Sequence, residues 1–139
     1  IVAIRRIEND IGAFKPAAQV GALNGALLYL PLQDAHAGEY FGDESGWSRA
    51  ATCAGTTCPE VVDADNRLDA AAHFDDVDDH LSVAGVDLAR SAFTVAAWAK
   101  RDVTGTNDFL LSLGTQQTDE GLHFGFRATN VFTCAFWND

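Results

Sequence analysis

Four carboxylates fall within five residues at Asp75-Asp76-Val77-Asp78-Asp79, with apolar alternation on both sides. Like charges packed this closely repel, so the run reads as a turn. Such a turn sits in solvent, gathers backbone N–H groups or holds a hard cation. Its flanks then read as strands. Ala70-Ala71-Ala72-His73-Phe74 leads in, and His80-Leu81-Ser82-Val83 leads out with Leu81 and Val83 on one face. After a short connector, Phe93-Thr94-Val95-Ala96-Ala97-Trp98-Ala99-Lys100 places β-branched and aromatic residues with period two, predicting a longer strand.

The rest of the chain fits that reading. Its 139 residues suffice for one domain with a real core. Nine Phe against no Met indicate rigid aromatic packing. Of 20 acidic residues only five are Glu, at 8, 39, 44, 60 and 120. Asp is a turn residue and a poor helix former, so the excess favours β-structure with acidic loops. A net charge of −11 repels nucleic acid and anionic membrane. No apolar run approaches the roughly 20 residues that span a bilayer, so membrane insertion is not expected.

Residues 1–24 stand apart: Ile1–Ile7 predicts a strand, and residues 15–24 read as a linker of Pro, Gly and small side chains. Gly25–Leu32 predicts a strand, followed by a Gly- and acid-rich loop from Asp34 to Arg49. Pro59–Val62, Phe109–Leu113, Leu122–Arg127 and Val131–Trp137 complete the strand set, and no segment longer than a turn has helical periodicity. Cys53 and Cys58 bracket Ala-Gly-Thr-Thr, which predicts a local disulfide and an oxidising compartment. Cys134 alternates in phase with Phe132 and Phe136, predicting a buried thiol. Eight or nine short strands with frequent turns argue for an all-β antiparallel sandwich.

The stretch from Phe74 to Lys100 resembles the signature of laminin-G-like jelly-roll domains of the concanavalin A-like lectin and glucanase superfamily. The matching residues are Phe74, Asp75, Asp78, Asp79 and Val83, then Phe93, Thr94, Val95, Ala97, Trp98 and Lys100. Asp76 replaces the usual turn glycine and His80 the usual tyrosine. The resemblance starts near residue 25, so residues 25–139 are expected to be the N-terminal part of such a domain, lacking its closing strands. Trp98 belongs to a family strand and is expected in the core.

Asp43, Ser45 and Gly46 match the family's Asp-x-Ser-Gly loop, with Trp47 in place of an Asn. The resemblance implies a structural calcium near this loop, with Asp34, Asp43 and Asp75 as the carboxylates expected to hold it. The alternative is that Asp43 and Ser45 only close an Asx-type turn.

Catalysis is not expected. Retaining glycosidases need two carboxylates about 5–5.5 Å apart, and no Glu pair has the strand spacing the superfamily's glucanases use. His36, His73, His80 and His123 are dispersed. The expected function is a secreted or cell-surface recognition module that binds a glycan or a surface protein, with Tyr40, Trp47 and His80 as loop-borne contact residues. The alternative is a structural subunit of an extracellular filament or other homo-oligomer, completed by strands from a neighbouring chain.

Overall fold

In a computed structural model the described residues are 26–33, 35, 39–63, 70–88, 92–114 and 121–136. The strand expected at Ile1–Ile7, Asp34 and Trp137 lie outside them. The described part is mostly β, every ladder is antiparallel, and no α-helix occurs among these residues. Two compact units divide after Trp98.

The first unit carries five short strands: β1 (Tyr40–Phe41), β2 (Ala51–Thr52), β3 (Glu60–Asp63), β4 (Ala70–His73) and β5 (Ser82–Val83). β2 lies between β1 and β5, and β3 pairs with β4 so that Val61 faces Ala72 and Val62 faces Ala71. The acidic turn connects β4 to β5, as its charge demands. The core of this unit is small and dense: Leu30, Phe41, Ala51 and Leu81 are each at most 1% exposed.

Residues 26–33 differ from the expected strand. Tyr29, Leu30 and Leu32 are buried, but the segment joins no ladder. Its backbone is satisfied elsewhere: the Tyr29 N–H donates to Asp43 Oδ1 at 2.9 Å, and the Tyr29 carbonyl accepts from the Glu44 N–H at 2.8 Å. Leu32 has φ +59, which breaks extension. A buried backbone group needs a partner, and here the loop supplies it in place of a strand.

The strand expected at Phe93–Lys100 is absent; residues 92–100 have no regular structure. Phe93 is 37% exposed and Trp98 51% exposed, so Trp98 is not the core residue its pattern predicts. Strand propensity is expressed only against a pairing edge, and none of the described strands pairs here.

The second unit is a three-stranded meander of β6 (Asp108–Leu113), β7 (Leu122–Phe126) and β8 (Phe132–Phe136). A bulge between Phe109 and Leu111 shifts the β6–β7 register. Gly125 sits opposite it, where a Cβ would lie against Asp108 O and 2.7 Å from Phe109 Cα. Phe132 meets Phe124 and Phe126 edge to face, with centroids 4.9 and 5.1 Å apart.

The alternation expected in β8 is present, but its face is open. Phe132 and Phe136 are 46% and 40% exposed, and Cys134 is an exposed free thiol instead of a buried one. The reason is geometric: within its unit no described layer covers the apolar side of this strand. Arg101 pins the loops at the other end. Its Nε donates to Asp108, its Nη1 to Asn130 Oδ1 at 3.1 Å and its Nη2 to the Thr106 carbonyl at 3.2 Å, while its guanidinium stacks 4.7 Å from the Phe126 centroid.

Candidate functional site

The loop from Asp43 to Arg49 is built on one carboxylate. Asp43 Oδ1 accepts the N–H of Tyr29 at 2.9 Å and of Ser45 at 2.8 Å. Oδ2 accepts the Ser45 hydroxyl at 2.8 Å and the Arg49 N–H at 3.0 Å. The Asx-type turn is therefore present, and it reaches further than a turn. Partial burial pushes the Asp43 carboxyl up, but the donors from Tyr29, Ser45 and Arg49 outweigh it and hold the group below its ordinary value.

This clamp presents Trp47. Gly46 and Ser48, on either side of it, have φ +94 and +55, so the chain reverses twice in three residues. The Trp47 N–H donates to Ser45 Oγ at 3.3 Å. The Arg49 guanidinium lies 4.7 Å above the ring centroid, anchored by Nη1 donating to the Leu27 carbonyl at 2.7 Å. Trp47 itself remains 60% exposed. Arg49 was not among the expected contact residues; the signal for it was its position two residues after a loop Trp, across a single Ser.

Tyr40 and His80 stand elsewhere. Tyr40, on β1, is 40% exposed and lines an open groove of about 300 Å³ with Glu39, Ala50, Thr52 and Cys53. The lining of that groove includes neither Trp47 nor His80. The His80 N–H donates to the Thr57 carbonyl at 3.0 Å, and its Nδ1 lies 2.9 Å from the Asp78 carbonyl. His80 is thereby tied to the disulfide ring on one side and the acidic turn on the other.

The ring is closed as expected: Cys53 and Cys58 are bonded, with Cα atoms 5.1 Å apart, around a single 3-10 turn at Gly55–Thr57. Opening it frees the denatured chain. Cys53→Ser with Cys58→Ser is expected to lower unfolding free energy by about 2 kcal/mol in urea titrations; an unchanged midpoint rejects that loop-entropy contribution.

In the acidic turn, Asp75 Oδ1 accepts the N–H of Val77 at 2.9 Å and of Asp78 at 3.4 Å, while Asp79 Oδ2 accepts the Asp75 N–H at 2.9 Å. The Val77 N–H is the main cause that keeps the Asp75 carboxyl below its ordinary value. Asp76 takes φ +64, so an aspartate adopts the left-handed conformation where the pattern has glycine. One carboxylate oxygen from each of Asp75, Asp78 and Asp79 lies within 4.8 Å of the others. Asp43 is not a member of that group, and Asp34 lies outside the described residues.

Chemically, the described residues offer a fixed aromatic ring with a guanidinium behind it, a shallow groove beside Tyr40, and an exposed acidic turn. No family model, curated protein or solved structure matches this chain.

Proposed function

We propose that the chain is a non-catalytic extracellular recognition and adhesion module, a laminin-G-like jelly-roll domain of the concanavalin A-like superfamily that binds a glycan or a surface protein. The observation that carries this reading is Trp47, held 60% exposed on a loop whose two ends are clamped to one carboxylate. A large apolar ring kept in water, beside a Ser48 held in the left-handed region, is costly unless a ligand covers it. The disulfide supports an oxidising compartment. The non-catalytic part rests on the sequence, in which no Glu pair has the strand spacing that glucanase carboxylates use.

The test is binding of the labelled chain to a glycan array and to intact cells, with release of reducing ends from β-glucans measured in parallel. Saturable binding without hydrolysis supports the reading; glucan cleavage, or no binding to either surface, removes it.

Calcium belongs to the same proposal. Both Asp43 oxygens accept protein donors, so of the three carboxylates expected to hold the ion the described one that remains is Asp75, which is grouped with Asp78 and Asp79. Calcium is expected to raise the melting temperature of the wild type over its value in EGTA, and Asp75→Ala is expected to abolish that difference. Identical wild-type curves with and without chelator eliminate the ion.

A second reading, a filament or surface-assembly subunit, is favoured by the second unit's apolar edge. β8 is at the end of its sheet and exposes Phe132 and Phe136 at 46% and 40%, with Val131 just before it at 59%. Unpaired apolar edges invite strand addition. Light scattering decides it: a monomer across the micromolar range rejects the assembly.

A further inference from the structure

The two edges of the second unit's sheet are guarded differently. Soluble proteins protect an unpaired strand edge with charges, proline or a bulge. The β6 edge has such guards, a bulge between Phe109 and Leu111 and the charge of Asp108. β8 forms the other edge, with no described strand beyond it, and Phe132-Thr133-Cys134-Ala135-Phe136 carries none of them. Exposure rises toward it: Leu122 and Leu111 are 2% and 7% exposed, whereas Phe132 and Phe136 are 46% and 40%.

The backbone of β8 can be sorted by direction. The Arg127 N–H donates to the Val131 carbonyl at 2.9 Å, in line with the register that pairs Phe126 with Phe132. Antiparallel ladders alternate, so Val131, Thr133 and Ala135 turn their N–H and C=O groups toward β7. Phe132, Cys134 and Phe136 turn theirs outward. The open hydrogen-bonding groups thus belong to the residues whose side chains are exposed.

The order of side chains says what fits against this edge. From either end of β8 it runs large, small, Cys, small, large. Such a strand is complementary to itself when antiparallel, with a two-fold axis at Cys134. Phe132 then lies opposite the partner's Phe136, Thr133 opposite the partner's Ala135, and Cys134 opposite the partner's Cys134. All outward N–H and C=O groups of both copies are paired in this register. Sliding by two residues leaves one end of each strand unpaired and separates the Phe pairs. No charged residue lies between Val131 and Phe136, so the net charge of −11 is not concentrated where the copies meet.

We propose that β8 pairs with β8 of a second copy of this chain, antiparallel about Cys134, joining two three-stranded sheets into one. The two-fold pairing uses up this edge, so the product is a closed dimer and not a filament. A strand of five residues buries little area, which places the dimer in the micromolar range. This rests on the assembly reading and names its partner, register and size.

Analytical ultracentrifugation of the intact chain is expected to show a monomer–dimer equilibrium. Cys134 is the free thiol, Cys53 and Cys58 being bonded to each other. A short bis-maleimide, each ring adding one thiol across its double bond, is expected to link two copies through Cys134 where dimer is present and not after dilution. Cys134→Lys sets two ammonium groups opposite each other and is expected to weaken the dimer by at least about tenfold. Phe136→Lys weakens it too, and adding Phe132→Glu to that chain restores part of the loss, because each Lys then faces the opposite charge. Phe132 also packs on Phe124 and Phe126, so melting of every variant is checked. If the double variant does not fold, Cys134→Lys, at an exposed thiol, carries the test alone. A dimer that Cys134→Lys leaves intact, or that the bis-maleimide does not capture, overturns the proposal while the assembly reading stands. Species larger than two copies do the same. A monomer throughout overturns both.

Discussion

Asp43→Ala is expected to destabilise the first unit by about 2–3 kcal/mol in urea unfolding. The carboxylate accepts four hydrogen bonds, and bonds to a charged acceptor contribute about 1.5–3 kcal/mol each when nothing replaces them. Most of that gross figure is not lost. The carboxylate is only partly buried, so water regains the N–H groups of Ser45 and Arg49 once the side chain is gone. Tyr29 is 5% exposed, so its N–H is the donor that water reaches least. Asp43→Asn keeps one oxygen and turns an amide NH₂ toward the remaining donors, for about 1–2 kcal/mol. If Asp43 is a keystone and not an ion ligand, the loss is the same in calcium and in EGTA; a loss seen in calcium alone reverses that assignment.

The same group sets an acid limb. Its folded-state pKa lies below the ordinary 3.8, so its contribution is complete above the unfolded-state value. As pH falls through that value, the unfolded chain takes up the proton first, and stability declines until the folded carboxyl also protonates. Wild-type stability is therefore expected to fall from about pH 4 downward, with a shallower fall in Asp43→Asn. Parallel acid limbs in the two proteins contradict the mechanism.

Gly125→Ala is the second large effect, expected to cost at least about 3 kcal/mol and to unpair β6 from β7. The new methyl group would lie against Asp108 O, 2.7 Å from Phe109 Cα and 3.0 Å from Leu110 N. All three are backbone atoms of the bulged strand, so no rotamer change relieves the contact. Hydrogen exchange read amide by amide over residues 108–113 and 122–126 reports it directly. Gly46→Ala is the comparison: its Cβ meets nothing within 4 Å, and only its φ of +94 is penalised, for about 1 kcal/mol. Equal effects at the two positions discard the packing argument.

Some of this architecture was legible in the residues. The acidic turn had to be a turn because four carboxylates within five residues admit no buried alternative, and β4 and β5 flank it as the alternation predicts. The strands at 122–126 and 132–136 follow from period-two patterns between polar breaks, and the one at 108–113 from a near-continuous apolar run. The Cys53–Cys58 ring follows from two cysteines bracketing a small polar tetrapeptide. Asp43, Ser45 and Trp47 were marked as loop residues with chemistry. The part Arg49 plays was hidden, since a guanidinium over a ring two residues away depends on the left-handed Ser48 between them.

Composition, alternation and charge determined that this chain is antiparallel β with acidic loops and one local disulfide, because those properties act between near neighbours in sequence. Pairing decided the rest. Whether Phe93–Lys100 becomes a strand, whether Cys134 and Phe136 are covered, and whether residues 26–33 join a ladder all depend on which edge lies alongside. A strand's inner and outer faces look identical until a second layer is supplied. Tertiary structure alone turned one aspartate into the clamp that lifts Trp47 into solvent.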